Sequence, residues 1–181
     1  MNSDWGIDTS WSLFLDRDGV INKRNFDGYV LNYNDFVFQD GALKAIAQFK
    51  NKFRYIFIVT NQQCVGKKIL SLEKLNSIHE QMLEEISKND GSITNIYCAT
   101  ELNGPKMCRR KPLPAMGINA KKDFPSIDFS KSIMVGDTDS DIKFGKNLGM
   151  KTVCIRSKEV INSKPDVYCE SLFEFSKLIN E

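Results

Sequence analysis

Two carboxylates stand two residues apart in Asp16-Arg17-Asp18-Gly19-Val20, directly after an apolar run. In an extended segment alternate side chains point the same way, so Asp16 and Asp18 can share one site unless a turn at Gly19 redirects the second. Carboxylates that close need a cation beside them. A second acidic group, Gly136-Asp137-Thr138-Asp139-Ser140-Asp141, follows another short apolar run and opens a helix, and its hard oxygen ligands suit magnesium. A third apolar run ends in Thr60-Asn61-Gln62, small polar donors able to hold phosphoryl oxygens, with Thr60 the candidate clamp. In Arg109-Arg110-Lys111-Pro112, Lys111 can neutralise a phosphoryl group in transfer. Singly these pieces are weak, because acidic residues at strand ends and helix starts commonly serve as caps or turn formers. Their ordered recurrence after apolar runs is the stronger signal.

The elements that carry them alternate. Short β-rich runs at 11–15, 55–59, 93–98, 133–135, 152–155 and 167–169 are separated by helical patterns, which argues for a parallel sheet. Leu43, Ile46, Ala47 and Phe53 fall near helical spacing, and Leu72, Leu75, Ile78, Met82 and Ile86 follow the N-cap Ser71, so both stripes are expected to be core faces. Further helices are expected over 139–148, ended by Gly149, and over 171–179. Residues 22–38 and 99–114 fit neither pattern and read as working loops. In such sheets ligands bind at the carboxyl ends of the strands, where every acidic and polar group above is placed.

Composition bounds the function classes. The 181 residues, 41% of them hydrophobic, suffice for one compact domain over 1–181. The formal charge is only +2 and Lys and Arg are dispersed, so no nucleic-acid face is suggested. No apolar run approaches a membrane span and residues 1–10 lack the regions of a signal peptide, so a cytoplasmic protein is expected. The five scattered cysteines read as reduced thiols.

The ordered set Asp-x-Asp-Gly, Thr-Asn, Lys-Pro and Gly-Asp-x-x-x-Asp resembles the haloacid dehalogenase (HAD) superfamily of phosphotransferases. Within it, residues 16–22, 28–30, 36–41, 59–62 and 110–112 are similar to the phosphatases of D-glycero-D-manno-heptose 1,7-bisphosphate and of histidinol phosphate. The resemblance implies a Rossmann-like three-layer α/β/α parallel sheet, HAD-like and without a large cap domain, holding a phosphomonoesterase. By the same resemblance Asp16 attacks phosphorus to form an aspartyl-phosphate, and Asp18 acts as acid and then base, a task that calls for a modest upward shift of its pKa. It further implies Mg2+ held by the Asp16 carboxylate, the Asp18 backbone carbonyl and Asp137, with Asp141 supporting from behind. Thr60 and Lys111 stabilise the phosphoryl group, while Arg24, Tyr29, Asn61, Gln62 and Arg110 contact the rest of a small phosphorylated sugar. A monomer is the expectation from the resemblance.

The chain departs from this pattern in one loop. Relatives of this kind carry three cysteines and a histidine before the Arg-Lys-Pro segment, a closed tetrahedral zinc site. Here that stretch offers only Cys98 and Cys108, with Thr100 and Arg109 at the other two places, so no structural zinc is expected. The single histidine, His79, reads as a residue on the flank of a helix. The loop is also shorter, Thr138 stands where the heptose enzymes have a Lys, and Gln63-Cys64 replaces a Ser-Gly pair; each bears on substrate choice. Competing readings are histidinol-phosphate hydrolysis, a nucleic-acid 3′-phosphatase, a phosphosugar-binding module without turnover, and cysteine catalysis through Cys64 or Cys108, which lacks a neighbouring histidine partner in the sequence.

Overall fold

A computed structural model of the chain describes residues 5–102, 104 and 108–180. Six parallel strands form one sheet: β1 (Ser12–Leu15), β2 (Tyr55–Asn61), β3 (Asn95–Ala99), β4 (Ser132–Gly136), β5 (Lys151–Ile155) and β6 (Val167–Cys169), in the spatial order β3-β2-β1-β4-β5-β6. The alternation read from the sequence is therefore present, and β2 extends two residues further than its apolar run, carrying Thr60 and Asn61 into the strand.

Helices cover both faces. On one, Leu13, Leu15, Ile58, Val135 and Val153 pack with α1 (Ala42–Phe49), α3 (Leu72–Lys88) and α6 (Leu172–Leu178); on the other, Phe14, Phe57, Val59 and Met134 pack with α4 (Ala115–Asp123) and α5 (Asp139–Leu148). Strand residues buried on both sides explain why the strands read as continuous apolar runs rather than as alternating ones. The result is the three-layer α/β/α sandwich expected.

Local chemistry sets the helix ends. Ser71 caps α3 by accepting from Lys74 N at 3.2 Å, and Gly149 ends α5 with φ +77°, a left-handed conformation that costs glycine nothing. Two sequence expectations need correction. Leu72 is half exposed because it is the first residue of α3, before the helix reaches the sheet, and the buried face of α1 uses Ala45 rather than Ala47. The helix α4, and a single turn α2 (Gln63–Gly66), carried no sequence signal. Among the described residues no helix is long and apolar enough to cross a membrane.

Candidate active site

The strand order reverses between β1 and β4, and the carboxyl ends of these two neighbours carry Asp16 and Asp137. Such a switch point leaves a crevice between diverging connections, the usual ligand position in open α/β sheets. A cavity of about 720 Å³ opens there, and Asp16, Asp18, Arg24, Tyr29, Thr60, Asn61, Gln62, Arg110, Lys111 and Asp141 all line it. The fold thus brings together residues up to 125 positions apart, from 16 to 141.

Carboxylate oxygens of Asp16, Asp137 and Asp141 lie within 4.8 Å of one another, Asp16 and Asp141 lining this cavity and Asp137 a second one of about 330 Å³ that Arg24 also lines. Lys111 Nζ donates to Asp16 Oδ1 at 2.7 Å and to Val59 O at 2.6 Å, and pairs with Asp141 Oδ1 at 2.6 Å. Arg24 Nη1 reaches Asp137 Oδ2 at 3.4 Å and its Nη2 reaches Glu159. Two cations do not compensate this acidic cluster. Burial pushes the Asp16 carboxyl up to about 7 against the pull of Lys111, and burial together with Asp16 and Asp141 pushes Asp137 up to about 8. Asp137 Oδ1 is buried with no hydrogen-bond partner among the described residues. An unpartnered carboxylate oxygen in an over-negative, all-oxygen cluster fits a hard divalent cation such as magnesium.

Two glycines make room for this cluster. A Cβ on Gly19, whose φ is +96°, would lie 2.2 Å from Asp137 Oδ2, and one on Gly136 would lie 2.1 Å from Asp141 Cβ. Gly19 therefore serves both the turn and the close approach of Asp137. Asp141 closes the first turn of α5: its Oδ2 accepts from Thr138 N at 3.0 Å and Thr138 Oγ1 at 2.6 Å.

Asp18 differs from expectation. The Arg17 Nη2 donates to both its oxygens at 2.9 Å, Asn22 Nδ2 donates at 3.0 Å and Gln62 Nε2 at 2.7 Å. Burial alone would raise its pKa, but Arg17 and these donors outweigh burial and hold the carboxyl below its ordinary value, where the sequence reading called for a rise. Gln62 and Asn61, expected to contact substrate, line the cavity and also brace their neighbours. Gln62, 2% exposed, spends its amide on Asp18 and on Thr60 Oγ1 at 2.9 Å, and Asn61 is paired with the backbone of Lys111. Both are struts holding a neighbour in place. Tyr29 OH accepts from Gln63 at 3.2 Å and from Lys67 at 2.9 Å, while Arg110 Nη1 is buried at the cavity wall without a partner among the described residues.

His79 was missed as part of the site. It is 7% exposed, and its Nε2 lies 3.1 Å from Arg17 Nη1. Its contact is 62 residues away in sequence, so no local pattern announced it. The stretch expected to resemble a degenerate zinc loop falls partly on residues 103 and 105–107, outside the described residues. Cys98 and Cys108 are free thiols, and among the described residues the group able to hold a metal is the Asp16, Asp137, Asp141 cluster.

Comparison with known proteins bears on the family and the fold. Residues 108–174 match the HAD-hydrolase-like family model. A D-glycero-alpha-D-manno-heptose-1,7-bisphosphate 7-phosphatase of Campylobacter jejuni is 34% identical over 148 residues, 82% of this chain and 83% of that protein. An enzyme of the same name from Mycobacterium bovis is 29% identical over 170 residues, 92% of this chain and 90% of the relative. Among solved structures, the D,D-heptose 1,7-bisphosphate phosphatase of B. bronchiseptica, complexed with magnesium and phosphate, superposes with a TM-score of 0.85 at 22% identity, over 94% of this chain and 98% of its own.

Proposed function

The chain belongs to the HAD-like phosphatase family that includes the heptose-1,7-bisphosphate 7-phosphatases, and from that premise we propose that it is a magnesium-dependent phosphomonoesterase whose substrate is the 7-phosphate of D-glycero-D-manno-heptose 1,7-bisphosphate. The observation that carries the reading is the buried trio Asp16, Asp137 and Asp141, in which Lys111 pairs with Asp16 and Asp141 at the wall of an open cavity and Arg24 with Asp137.

Asp16, Asp137 and the Asp18 carbonyl would hold a magnesium ion, which would supply positive charge against the phosphoryl oxygens. Asp16, its carboxylate form favoured and oriented by Lys111 Nζ at 2.7 Å, attacks phosphorus with one carboxylate oxygen. The bond from phosphorus to the sugar oxygen breaks, and Asp18 delivers its proton to the departing alkoxide. Water then attacks the aspartyl-phosphate, gives a proton to the Asp18 carboxylate, and the electron pair of the broken P–O bond returns to Asp16. The sum is ester plus water to alcohol plus phosphate, with Asp18 protonated again.

In the free protein Arg17 favours the charged form of Asp18. The arriving phosphate dianion supplies the opposing field, raising the proton affinity of Asp18 when an acid is needed. Thr60 and Lys111 steady the phosphoryl oxygens, and Gln62 and Asn61 hold those two groups. Arg24, Tyr29 and Arg110, spaced around the wall, are suited to the rest of a polyhydroxylated, twice-phosphorylated substrate. Work as a monomer in carbohydrate metabolism of the cytoplasm completes the reading, supported by five free thiols that suit a reducing compartment.

The test is phosphate release, with and without magnesium, from both anomers of the heptose bisphosphate, histidinol phosphate, simple hexose phosphates and a 3′-phosphorylated oligonucleotide. Preference for the heptose bisphosphate supports the reading. Turnover that survives Asp16→Asn overturns the nucleophile, and silence toward every ester favours a binding module.

A further inference from the structure

Arg17 is the largest side chain in the fully buried interior, 1% exposed, and no step of the proposed chemistry uses it directly. Its guanidinium offers five N–H donors in a rigid fork and accepts nothing. One end of the fork grips both oxygens of Asp18 at 2.9 Å. The other end meets His79 Nε2, on helix α3, at 3.1 Å, while the face lies 5.8 Å from the centre of the Phe36 ring. For Nε2 to accept, the imidazole must be neutral and carry its proton on Nδ1. Burial, with Arg17 opposite, pushes the His79 pKa down to about 3, which keeps that form throughout the working range.

We propose that His79 is a positioning residue for the proton-transfer step: by accepting from Arg17 it fixes the fork that aims the Asp18 carboxyl into the cavity. The inference rests on the assignment of Asp18 as proton donor made above. Without His79 the guanidinium keeps only Asp18 and an aromatic face, and Asp18 loses the fixed anchor behind its partner. His79 itself touches neither substrate nor phosphoryl group; it lines a separate cavity of about 340 Å³ with Asn76, Leu83, Asn95 and Cys98.

The test uses leaving groups. A sugar phosphate expels a strongly basic alkoxide and needs the proton, whereas p-nitrophenyl phosphate expels a stable phenolate and does not. kcat/KM reports steps only through formation of the aspartyl-phosphate, so later hydrolysis does not blur it. His79→Leu is expected to lower kcat/KM on the sugar phosphate about tenfold, a fraction of the roughly hundredfold or more that a general acid supplies. On p-nitrophenyl phosphate the change should stay within about twofold. His79→Gln, whose amide oxygen can accept from Arg17, should recover much of the loss. In His79→Ala, added imidazole entering through the 340 Å³ cavity should recover part of it, which keeps the test alive if the leucine variant folds poorly.

Equal losses on both substrates, or none on either, overturn the inference in favour of a packing role. Asp18→Asn is measured alongside. If it selectively loses the sugar phosphate and His79→Leu does not, the inference about His79 alone is wrong. If Asp18→Asn shows no such selectivity, the assignment of Asp18 fails, and the inference falls with it.

Discussion

Asn61 and Lys111, fifty residues apart in sequence, hold each other by a reciprocal pair: Asn61 Nδ2 donates to Lys111 O at 3.2 Å, and Lys111 N donates to Asn61 Oδ1 at 3.0 Å. A side-chain amide here imitates a neighbouring strand and docks an otherwise irregular loop onto the end of β2. The loop then presents the Lys111 ammonium to Asp16 and Asp141 with little freedom left to it.

The first prediction follows from that pair. Asn61→Ala leaves the Lys111 amide and carbonyl unpaired and should cost about 1–3 kcal/mol of stability. Activity should fall further than stability implies, by about ten- to a hundredfold in kcat, since a misplaced charged group costs on that order. Urea titration and steady-state kinetics at saturating magnesium measure both; an unchanged kcat would mean the loop holds its place without Asn61.

A second concerns pH. Asp16 and Asp137 are raised to about 7 and about 8 in the metal-free protein, above the ordinary carboxylate value near 3.8 that the unfolded chain retains. Between those values the folded protein binds more protons than the unfolded chain. Stability contributed by these protons is complete below about pH 4 and is lost as pH rises through 7 and 8. In chelator, Tm should therefore fall from pH 5 to pH 8.5. Magnesium should flatten the fall, with its largest stabilising shift at the alkaline end. A chelator-treated protein whose Tm rises over this range would contradict the charge balance of the cluster.

Asp137→Asn tests the same balance by substitution. A neutral amide removes one charge from an over-negative cluster while keeping the shape, so the metal-free variant should gain about 1–2 kcal/mol at pH 8, or roughly 3–6 °C in Tm. It should lose its thermal response to magnesium and nearly all activity. Differential scanning calorimetry with and without the metal reads both, and a variant still stabilised by magnesium would remove Asp137 from the metal site.

Gly19→Ala places a methyl where Asp137 Oδ2 now lies, at a φ of +96° that other residues rarely adopt. The expected cost is about 1–3 kcal/mol in stability, with weaker magnesium binding by calorimetric titration. Wild-type affinity in this variant would mean that Asp137 has room to retreat.

Much of this was legible beforehand, and the reason is local. Asp16, Thr60 and Asp137 each end or follow a run of strand residues buried on both faces, so an apolar run terminated by a polar group marks the site without knowledge of the fold. Helix α4 was invisible because its buried residues are Met116, Gly117 and Ala120, small or flexible groups that leave almost no amphipathic stripe; Gly117 is there because Leu148 and Phe144 pack against it. The roles of Asn61, Gln62 and His79 were hidden for another reason. Their partners, Lys111, Asp18 and Arg17, lie 44 to 62 residues away and meet them only after the sheet has assembled. The lowered pKa of Asp18 has a nearer cause: against burial, Arg17 next to it in sequence turns its guanidinium back onto the carboxylate, and Asn22 and then Gln62 add to the effect.

The first turn of α5 joins two roles in one side chain. Asp141 accepts from the Thr138 amide with one oxygen and faces Lys111 with the other. Any event that redraws the charge on Lys111 or Asp16, the arrival of a cation included, must therefore tighten or loosen the start of a helix. The Thr138 amide becomes a built-in reporter: its deuterium exchange slows when the carboxylate is firmly held and quickens when it is drawn away. Occupancy of the buried centre can thus be followed from the backbone of a half-buried turn, without a substrate present.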